Sequence, residues 1–453
     1  MQSPRSNSTL ALRPAREVSR GHSGVRGWIV VAMLFLFILI NFGDKAVIGL
    51  AATPIREELG LTAGEFGLLA SGFYFLFSIS ALVVGFITTR VSPKWILFSL
   101  AIVWTISLVP MAGAVGFTAL MISRIALGAG EGPAYPMAVH TAHSWFTDTR
   151  RNLPTAIITV GSTLGVVVAG PGLTWVIATF NWHTAFVLLG VLSAAWAVAW
   201  AFVGKDGPLT VRLKRGVGVV APAAGRGESP AAIPEEEKYV FSYWRLFTSG
   251  TFVGCLVASF AAYWSLSVLV AWVPSFMETV LGYTPTQTGT LIILPWIFGA
   301  IGLLLQPLVS QRLLSRGISS RWARGFVGGV GVLIAGVAVS VLAWGPGGIV
   351  ALIALVVGFE FGHMIHVVSM VVLADITPTA QRSAVQGTFL ALLTLGGLVG
   401  PYVTGLMIDG AGTAAEGFAR AFGLLGMLMV VGGVLAMVLI RPERTKARLF
   451  AHA

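Results

Sequence analysis

Apolar runs of about twenty residues, the length at which a helix crosses a hydrocarbon layer roughly 30 Å thick, recur along nearly the whole chain. Read against their Gly, Pro and charge punctuation, they predict twelve helices beginning near Trp28, Gly64, Trp95, Thr118, Asn152, His183, Gly250, Thr284, Arg321, Gly347, Arg382 and Gly417. The longest polar stretch, residues 205–245, follows the sixth run and mixes Pro, Ala and Gly with Arg212, Lys214, Arg215 and the run Glu235-Glu236-Glu237. It reads as a flexible linker between two sets of six helices, and its aromatic end, residues 239–247, suggests a segment resting at the membrane interface. The expected fold is therefore an all-α polytopic membrane protein with twelve transmembrane helices in two six-helix halves. Its expected divisions are a tail at 1–26, a first six-helix domain at 27–204, a linker at 205–248, a second six-helix domain at 249–441 and a tail at 442–453.

A weak repeat supports two equivalent halves. Arg151, at the exit of the fourth helix, precedes Gly170-Pro171 by eighteen intervening residues, and Arg382, after the tenth helix, precedes Gly400-Pro401 by seventeen. Parallel halves of this kind are what many secondary transporters rock around a central site.

Composition agrees with the pattern. Of 453 residues, 56% are hydrophobic and only 10% charged, against roughly a quarter charged in soluble proteins. No stretch remains for a soluble catalytic domain, so no enzyme is expected. The formal charge of +11 has to be read by position. Arg90, Lys94, Arg150, Arg151, Arg312, Arg316, Arg321, Arg324, Arg382, Arg441, Arg444, Lys446 and Arg448 fall in alternate loops or the last tail, while the opposite loops hold Glu57, Glu58, Glu278 and Asp409 with Arg56. Basic residues are retained on the cytoplasmic side, which puts both termini in the cytoplasm of a bacterial-type inner membrane. The surplus charge is thus topological and no nucleic-acid partner is expected. Residues 1–26 carry Arg5, Arg13, Arg16, Arg20 and Arg26 without an apolar core, reading as a tail and not a cleaved signal. A single cysteine, Cys255, rules out an internal disulfide framework.

Ionisable groups at helix-centre depth are costly, by about 2.5 to 3.5 kcal/mol on insertion scales, and functional by default. Four stand out: Asp44 and Lys45 in the first helix, Arg124 and Glu131 in the fourth. Asn41 shares a broad face with the first pair. With the first helix rising outward and the fourth descending, Asp44, Lys45 and Arg124 lie about 9 to 12 Å from the outer end, and Glu131 about 20 Å down. Lys45 and Arg124, at one depth, could hold a substrate carboxylate between an ammonium and a guanidinium fork. Glu131, deeper still, is the candidate to take up and release a proton. A structural alternative has Asp44 pairing with Lys45 or Arg124 only to lock the helices together. In the tenth helix Glu360, His363 and His366 are spaced by threes; Glu360 and His363 can face one way, as a second proton site or a hydrogen-bonded pair. No metal is expected there, since two histidines six apart cannot readily share one ion. His140 and His143 read as packing or interfacial groups. Gly128, Gly130, Gly132, Gly161, Gly165, Gly396 and Gly397 permit close approach of the fourth, fifth and eleventh helices.

These residues resemble the major facilitator superfamily and, within it, the anion:cation symporter family of bacterial sugar-acid carriers and animal vesicular glutamate and sialic acid carriers. The most specific piece is Arg124-x3-Gly128-x2-Glu131-Gly132, similar to the family's R-x3-G-x2-E-G. Asn41-Phe42-Gly43-Asp44-Lys45 resembles N-Y-x-D-R, Asp375-Ile376-Thr377-Pro378 resembles D-I-A-P, and Trp272-Val273-Pro274 resembles W-L-P. The resemblance implies proton coupling through Glu131 and Asp44, and substrate anion contacts from Lys45 and Arg124. There are departures. In the loop from Gly85 to Lys94, Thr89 and Ser92 replace an Asp and a Gly of the superfamily pattern, which puts its charge latch in doubt. Phe42 stands for a Tyr, Lys45 for an Arg, and Thr394 for an Asn. A less hydroxylated organic acid becomes plausible.

The sequence thus predicts a monomeric proton-coupled symporter that imports a small organic anion, with protons as coupling ion and no cofactor. Asp44 and Glu131, with Glu360 and His363 as further candidates, would handle protons; Lys45, Arg124, Asn41, Phe42, Tyr135 and Thr394 would contact substrate. The alternatives are a proton-coupled exporter of an amphipathic compound and a non-transporting anion sensor signalling through the linker. Reporter fusions after Arg150, Arg226 and Arg316 should all read cytoplasmic; an outward signal at any one of them overturns the topology.

Overall fold

The computed structural model describes residues 24–88, 90–113, 116–146, 150–209, 241–345, 347–378 and 381–451. Most of the expected N-terminal tail and of the linker, together with Thr89, Asp148 and Thr149, lie outside the described residues. Eleven helices among the described residues are long and apolar enough to cross a membrane. The remaining crossing is the fourth, which runs as two shorter pieces, Phe117–Glu131 and Ala134–His143. Pro133, between them, has no N–H for the helical ladder, and the polar groups Arg124 and Glu131 sit in the first piece. The first three helices are Val25–Leu50, Ala63–Ile87 and Pro93–Leu108; the fifth and sixth are Asn152–Thr179 and Trp182–Val203. In the second half the seventh is Gly250–Ala271, the eighth reaches Ile293–Ser315 after Pro285–Leu291, the ninth includes Val327–Leu342 and the twelfth is Ala414–Leu439. The tenth consists of Gly348–Glu360 and Met364–Ile376 around a tight turn, and the eleventh of Arg382–Leu393 and Leu395–Asp409. Each crossing starts within three residues of its expected position. The segment expected at the interface contains a short helix, Tyr243–Phe247, with Trp244 exposed.

The repeat has a structural counterpart. Arg151 Nε donates to the carbonyl of Phe146 at 3.2 Å, and Arg382 Nε to that of Thr377 at 3.1 Å, five residues back in both halves. The charge latch that Thr89 and Ser92 put in doubt has a local substitute: Asp206, after the sixth helix, accepts from Ser92 Oγ and from the backbone N–H of Lys94.

The halves meet tightly at the end that carries the acidic loops. Asp409, ending the eleventh helix, accepts from the free N–H groups of Ala63 at 2.8 Å and Gly64 at 2.6 Å, which open the second helix. Helix N-termini attract carboxylates because these N–H groups lack helical partners. Tyr402 N–H donates to Ser71 Oγ at 3.1 Å, and Thr53 Oγ1 to Glu278 at 3.3 Å. The backbones themselves touch. A side chain at Gly67 would lie 2.4 Å from Pro401 O, one at Gly49 1.9 Å from Val270 O, and one at Gly170 2.5 Å from Gly289 O. The second helix closes on the eleventh and the fifth on the eighth, as two related halves require.

Outside the membrane segments, Glu58 ties this face together within the first half. Its carboxylate accepts from Trp182 Nε1 at 2.7 Å and lies 2.8 Å from His183 Nε2, and the His183 contact, ahead of Trp182, holds it below the usual carboxylate range.

Asp409→Ala should weaken the contact between the halves at this end. A helix cap of this kind contributes about 1 kcal/mol, so the ratio of open to sealed molecules at this end should rise about fivefold. Labelling of a cysteine placed at Ala63 in a Cys255→Ser background reads this ratio, and unchanged labelling would show that Asp409 is not part of the seal.

Candidate functional site

The candidate site is built on the contact between the second and fourth helices. A side chain at Gly128 would lie 1.9 Å from Phe73 O, and one at Gly132 2.1 Å from Phe77 O. Only glycine allows that approach, and it brings Arg124 and Glu131 against Phe73, Tyr74 and Phe77. The first helix supplies Asn41, Phe42, Asp44 and Lys45 from another side.

Lys45 Nζ lies 3.1 Å from Glu131 Oε2 and also donates to Asn41 Oδ1, one turn back on its own helix. The ammonium rests 4.6 Å from the Phe42 ring centroid and 5.6 Å from that of Phe77, where ring quadrupoles favour a cation. The Arg124 guanidinium stacks 5.0 Å from the Phe73 ring, and its Nε and Nη1 are buried without a hydrogen-bond partner. Asp44 is fully buried, its carboxyl group beside that of Glu131, with Arg124 and Lys45 as its cationic neighbours. Two basic and two acidic side chains therefore meet in one place, and the Arg124 donors among them are unused. Buried orphans of this kind are expensive in a packed protein, and here they converge.

Lys45 and Arg124 line one pocket with Tyr74 and Phe73 of the second helix and Ser267 of the seventh. Its free volume is about 10 Å³, room for roughly one water. That space is too small for an organic anion.

Lys45 and Arg124 line the same pocket, and Lys45 also reaches Glu131, seven residues after Arg124 on the fourth helix. Side chains on a helix lean towards its N-terminus, so Lys45 leans back along the first helix, and its four-carbon stem spans the difference in level. Tyr135 lies beyond the Gly132-Pro133 break, donor or acceptor to Thr159 Oγ1 at 2.8 Å. Thr394 is buried in the eleventh helix, hydrogen-bonded to Ser78 and to the carbonyls of Leu390 and Ala391. It joins the halves and is not among the pocket's lining residues. Glu360 and His363 form a separate pair in the second half, 3.2 Å apart. Among the described residues no group of three or more His, Cys, Asp or Glu side chains is arranged to hold a metal ion.

Sequence reasoning missed Phe73, Tyr74 and Phe77, which form the wall facing the charges, and Trp296 of the eighth helix, whose ring meets Phe42 edge-on at 6.0 Å. The available signal was Tyr74, one of only seven tyrosines in the chain and central in an apolar run. Without a charge it gave no reason to be singled out.

Comparison with known proteins adds to this geometry. The sequence model of the Major Facilitator Superfamily matches residues 34–367. The hexuronate transporter of Bacillus subtilis (strain 168) is 29% identical over 420 residues, covering 91% of this chain and 94% of that protein. A probable sulfoacetate transporter of Cupriavidus necator is 27% identical over 422 residues, with 92% and 94% covered. Among solved structures, a bacterial homologue of the human lysosomal transporter Spinster, in an inward-facing and unoccupied conformation, superposes with a TM-score of 0.73 at 20% identity, covering 94% of this chain and 99% of that one. That last likeness concerns the fold.

Proposed function

The chain belongs to the Major Facilitator Superfamily, and from that membership we propose that it is a secondary active transporter, importing a small organic anion together with protons by alternating access. In this reading it sits in a bacterial-type inner membrane with both termini in the cytoplasm. The observation that carries the proposal is the set of Lys45, Glu131, Asp44 and Arg124, two basic and two acidic side chains of which all but Lys45 are buried, beside the seam between the halves. The curated relatives named for hexuronate and for sulfoacetate support a small organic anion as cargo.

Charge balance supplies the coupling. With both carboxylates ionised, Lys45 and Arg124 are neutralised, and an entering anion would leave one uncompensated negative charge in a medium of low dielectric. A proton on Glu131 ends its hold on Lys45. Two cations then face Asp44 alone, and a substrate carboxylate or sulfonate restores neutrality. Anion and proton are bound together or not at all, which is the condition for symport. Arg124 offers the unused Nε and Nη1 donors as a fork, and Lys45 a point charge.

Reconstituted into proteoliposomes with an alkaline interior, the protein should accumulate its anion and lose that accumulation when a protonophore is added. Glu131→Gln, which imitates the protonated carboxyl, should lose gradient-driven accumulation while retaining exchange of substrate across the membrane. Unchanged gradient-driven uptake in this variant moves the coupling role to Asp44. Arg124→Ala should weaken binding at least about thirtyfold, since a desolvated charge contact is worth about 2 to 5 kcal/mol.

The pocket's apolar wall points to few hydroxyls on the cargo. Lys45 is flanked by the rings of Phe42 and Phe77, and Phe42 packs on Trp296, so a sugar hydroxyl on that side would be desolvated without a partner. A monocarboxylate with few hydroxyls, such as lactate, should therefore bind more tightly than D-glucuronate, which carries the same single charge, in a thermal-shift or competition assay. Phe42→Tyr, which adds one phenolic hydroxyl there, should narrow the difference. Tight binding of D-glucuronate by the unmodified protein would overturn this selectivity.

A further inference from the structure

The tenth helix carries a second set of titratable groups that the seam site does not use. Its helical hydrogen bonding tightens at Phe361–His363, with Glu360 at φ −110° marking the bend. Glu360 is buried, facing Gly299 of the eighth helix so closely that a side chain there would lie 2.1 Å from Glu360 Oε2. His363 Nδ1 lies 3.2 Å from Glu360 Oε2, and His363 Nε2 lies 3.1 Å from the carbonyl oxygen of Ala262 on the seventh helix.

Counting donors fixes the protonation of this pair. A carbonyl oxygen only accepts, so His363 Nε2 carries a hydrogen. If the imidazole is neutral, Nδ1 is then a bare lone pair directed at a carboxyl oxygen. That contact is repulsive when Glu360 is ionised and attractive only when a proton lies between them, on one partner or the other. A pair in this geometry is satisfied by one shared proton, which leaves it neutral overall. Its surroundings offer no other charge to take the proton's place. Helices seven and nine have no charged residue between Gly250 and Ala271 or between Val327 and Leu342; nor does helix eight between Ile293 and Gln311, or helix twelve between Ala421 and Leu439. The titratable groups that face the pair are His366, whose ring centroid is 5.8 Å from that of His363 and whose Nε2 meets Ser259 O at 3.1 Å, and beyond it Tyr263, 6.0 Å from His366.

We propose that Glu360 and His363 form a second proton-binding site, in the opposite half from the Lys45–Glu131 site, which keeps its shared proton while the tenth helix is bent against the seventh and releases it as that bend moves. Loss of the proton turns the Nδ1 contact repulsive, and the residues that must part are those of the bend itself. The released proton leaves from the His363 side chain, 12% of which is exposed. A row of rings joins the two sites: His363, His366, Tyr263 and then Tyr74, whose ring lies 5.8 Å from Tyr263 and which lines the Lys45 pocket. Proton coupling at this second site rests on the transport reading above; the presence of the shared proton does not.

The test is therefore made without substrate. In nanodiscs, protein labelled with 15N-histidine should show His363, assigned by its loss in His363→Gln, with a hydrogen on Nε2 and a proton shared at Nδ1 at neutral pH. In Glu360→Gln the amide N–H can satisfy Nδ1, so His363 should become an ordinary neutral imidazole over the same range. Hydrogen exchange across residues 358–366, corrected for its intrinsic pH dependence, should increase at high pH in the wild type and stay level in Glu360→Gln. A bare Nδ1 at neutral pH in the wild type, a hydrogen on Nδ1 with Nε2 bare, or exchange that is level in the wild type overturns the proposal. Should Glu360→Gln fail to fold, the wild-type spectrum and exchange profile decide by themselves. Failure of anion uptake in proteoliposomes would count against the transport reading and leave these readouts untouched.

Discussion

The ion pair between Lys45 and Glu131 is the constraint on which the arrangement of the first half depends. A single charge moved from water to the interior faces a penalty of several kcal/mol even after relaxation. Here two basic and two acidic side chains gather in one region, and all but Lys45 are buried. None can be removed without leaving an uncompensated partner, so the first and fourth helices are held in register by electrostatics that the surrounding apolar side chains cannot supply. The pair is also incomplete. Unused donors on Arg124 make the balance sensitive to one added proton or one added anion, which is what the proposed coupling needs.

That sensitivity depends on keeping water out, and packing does this. Glycines in the fourth, fifth and eleventh helices let backbones meet at distances no side chain would permit, and the seal formed by Asp409 on the start of the second helix closes the same end. In lipid, helix association gains little from hydrophobic burial and relies on close packing and hydrogen bonds. Small residues and helix-end contacts therefore do in this chain what a large apolar core does in a soluble protein. Both kinds of contact can be broken and remade as units, which suits surfaces that have to separate.

The two halves handle their titratable groups differently. The first half gathers two cations with two carboxyl groups; the second holds one carboxyl beside imidazoles, with no charged residue in the stretches Gly250–Ala271, Val327–Leu342 and Ala421–Leu439 of the neighbouring helices. Repeated backbone contacts such as those of Arg151 and Arg382 show that the scaffold is shared while the chemistry has diverged.

The order and position of the crossings were legible in the sequence, because a helix in lipid must be both long and apolar, and that requirement leaves a direct trace in composition. The polar faces of the first and fourth helices were legible for the same reason: a charge at that depth stands out against everything near it. Helical geometry also placed Glu360 beside His363 correctly, since three residues along one helix fix the relation of two side chains. Which charges meet across helices was a different matter. Depth matched Lys45 with Arg124, and the structure adds Glu131 as its ion-pair partner, because the lean and length of a side chain move its charge well away from its backbone position. Thr394, placed at the substrate by resemblance, spends its hydroxyl on Ser78 and its own helix. The aromatic wall of Phe73, Tyr74 and Phe77 left no trace at all. One more aromatic in an apolar helix looks like any other, and only the glycine contacts of the fourth helix decide that this face of the second helix borders the charges.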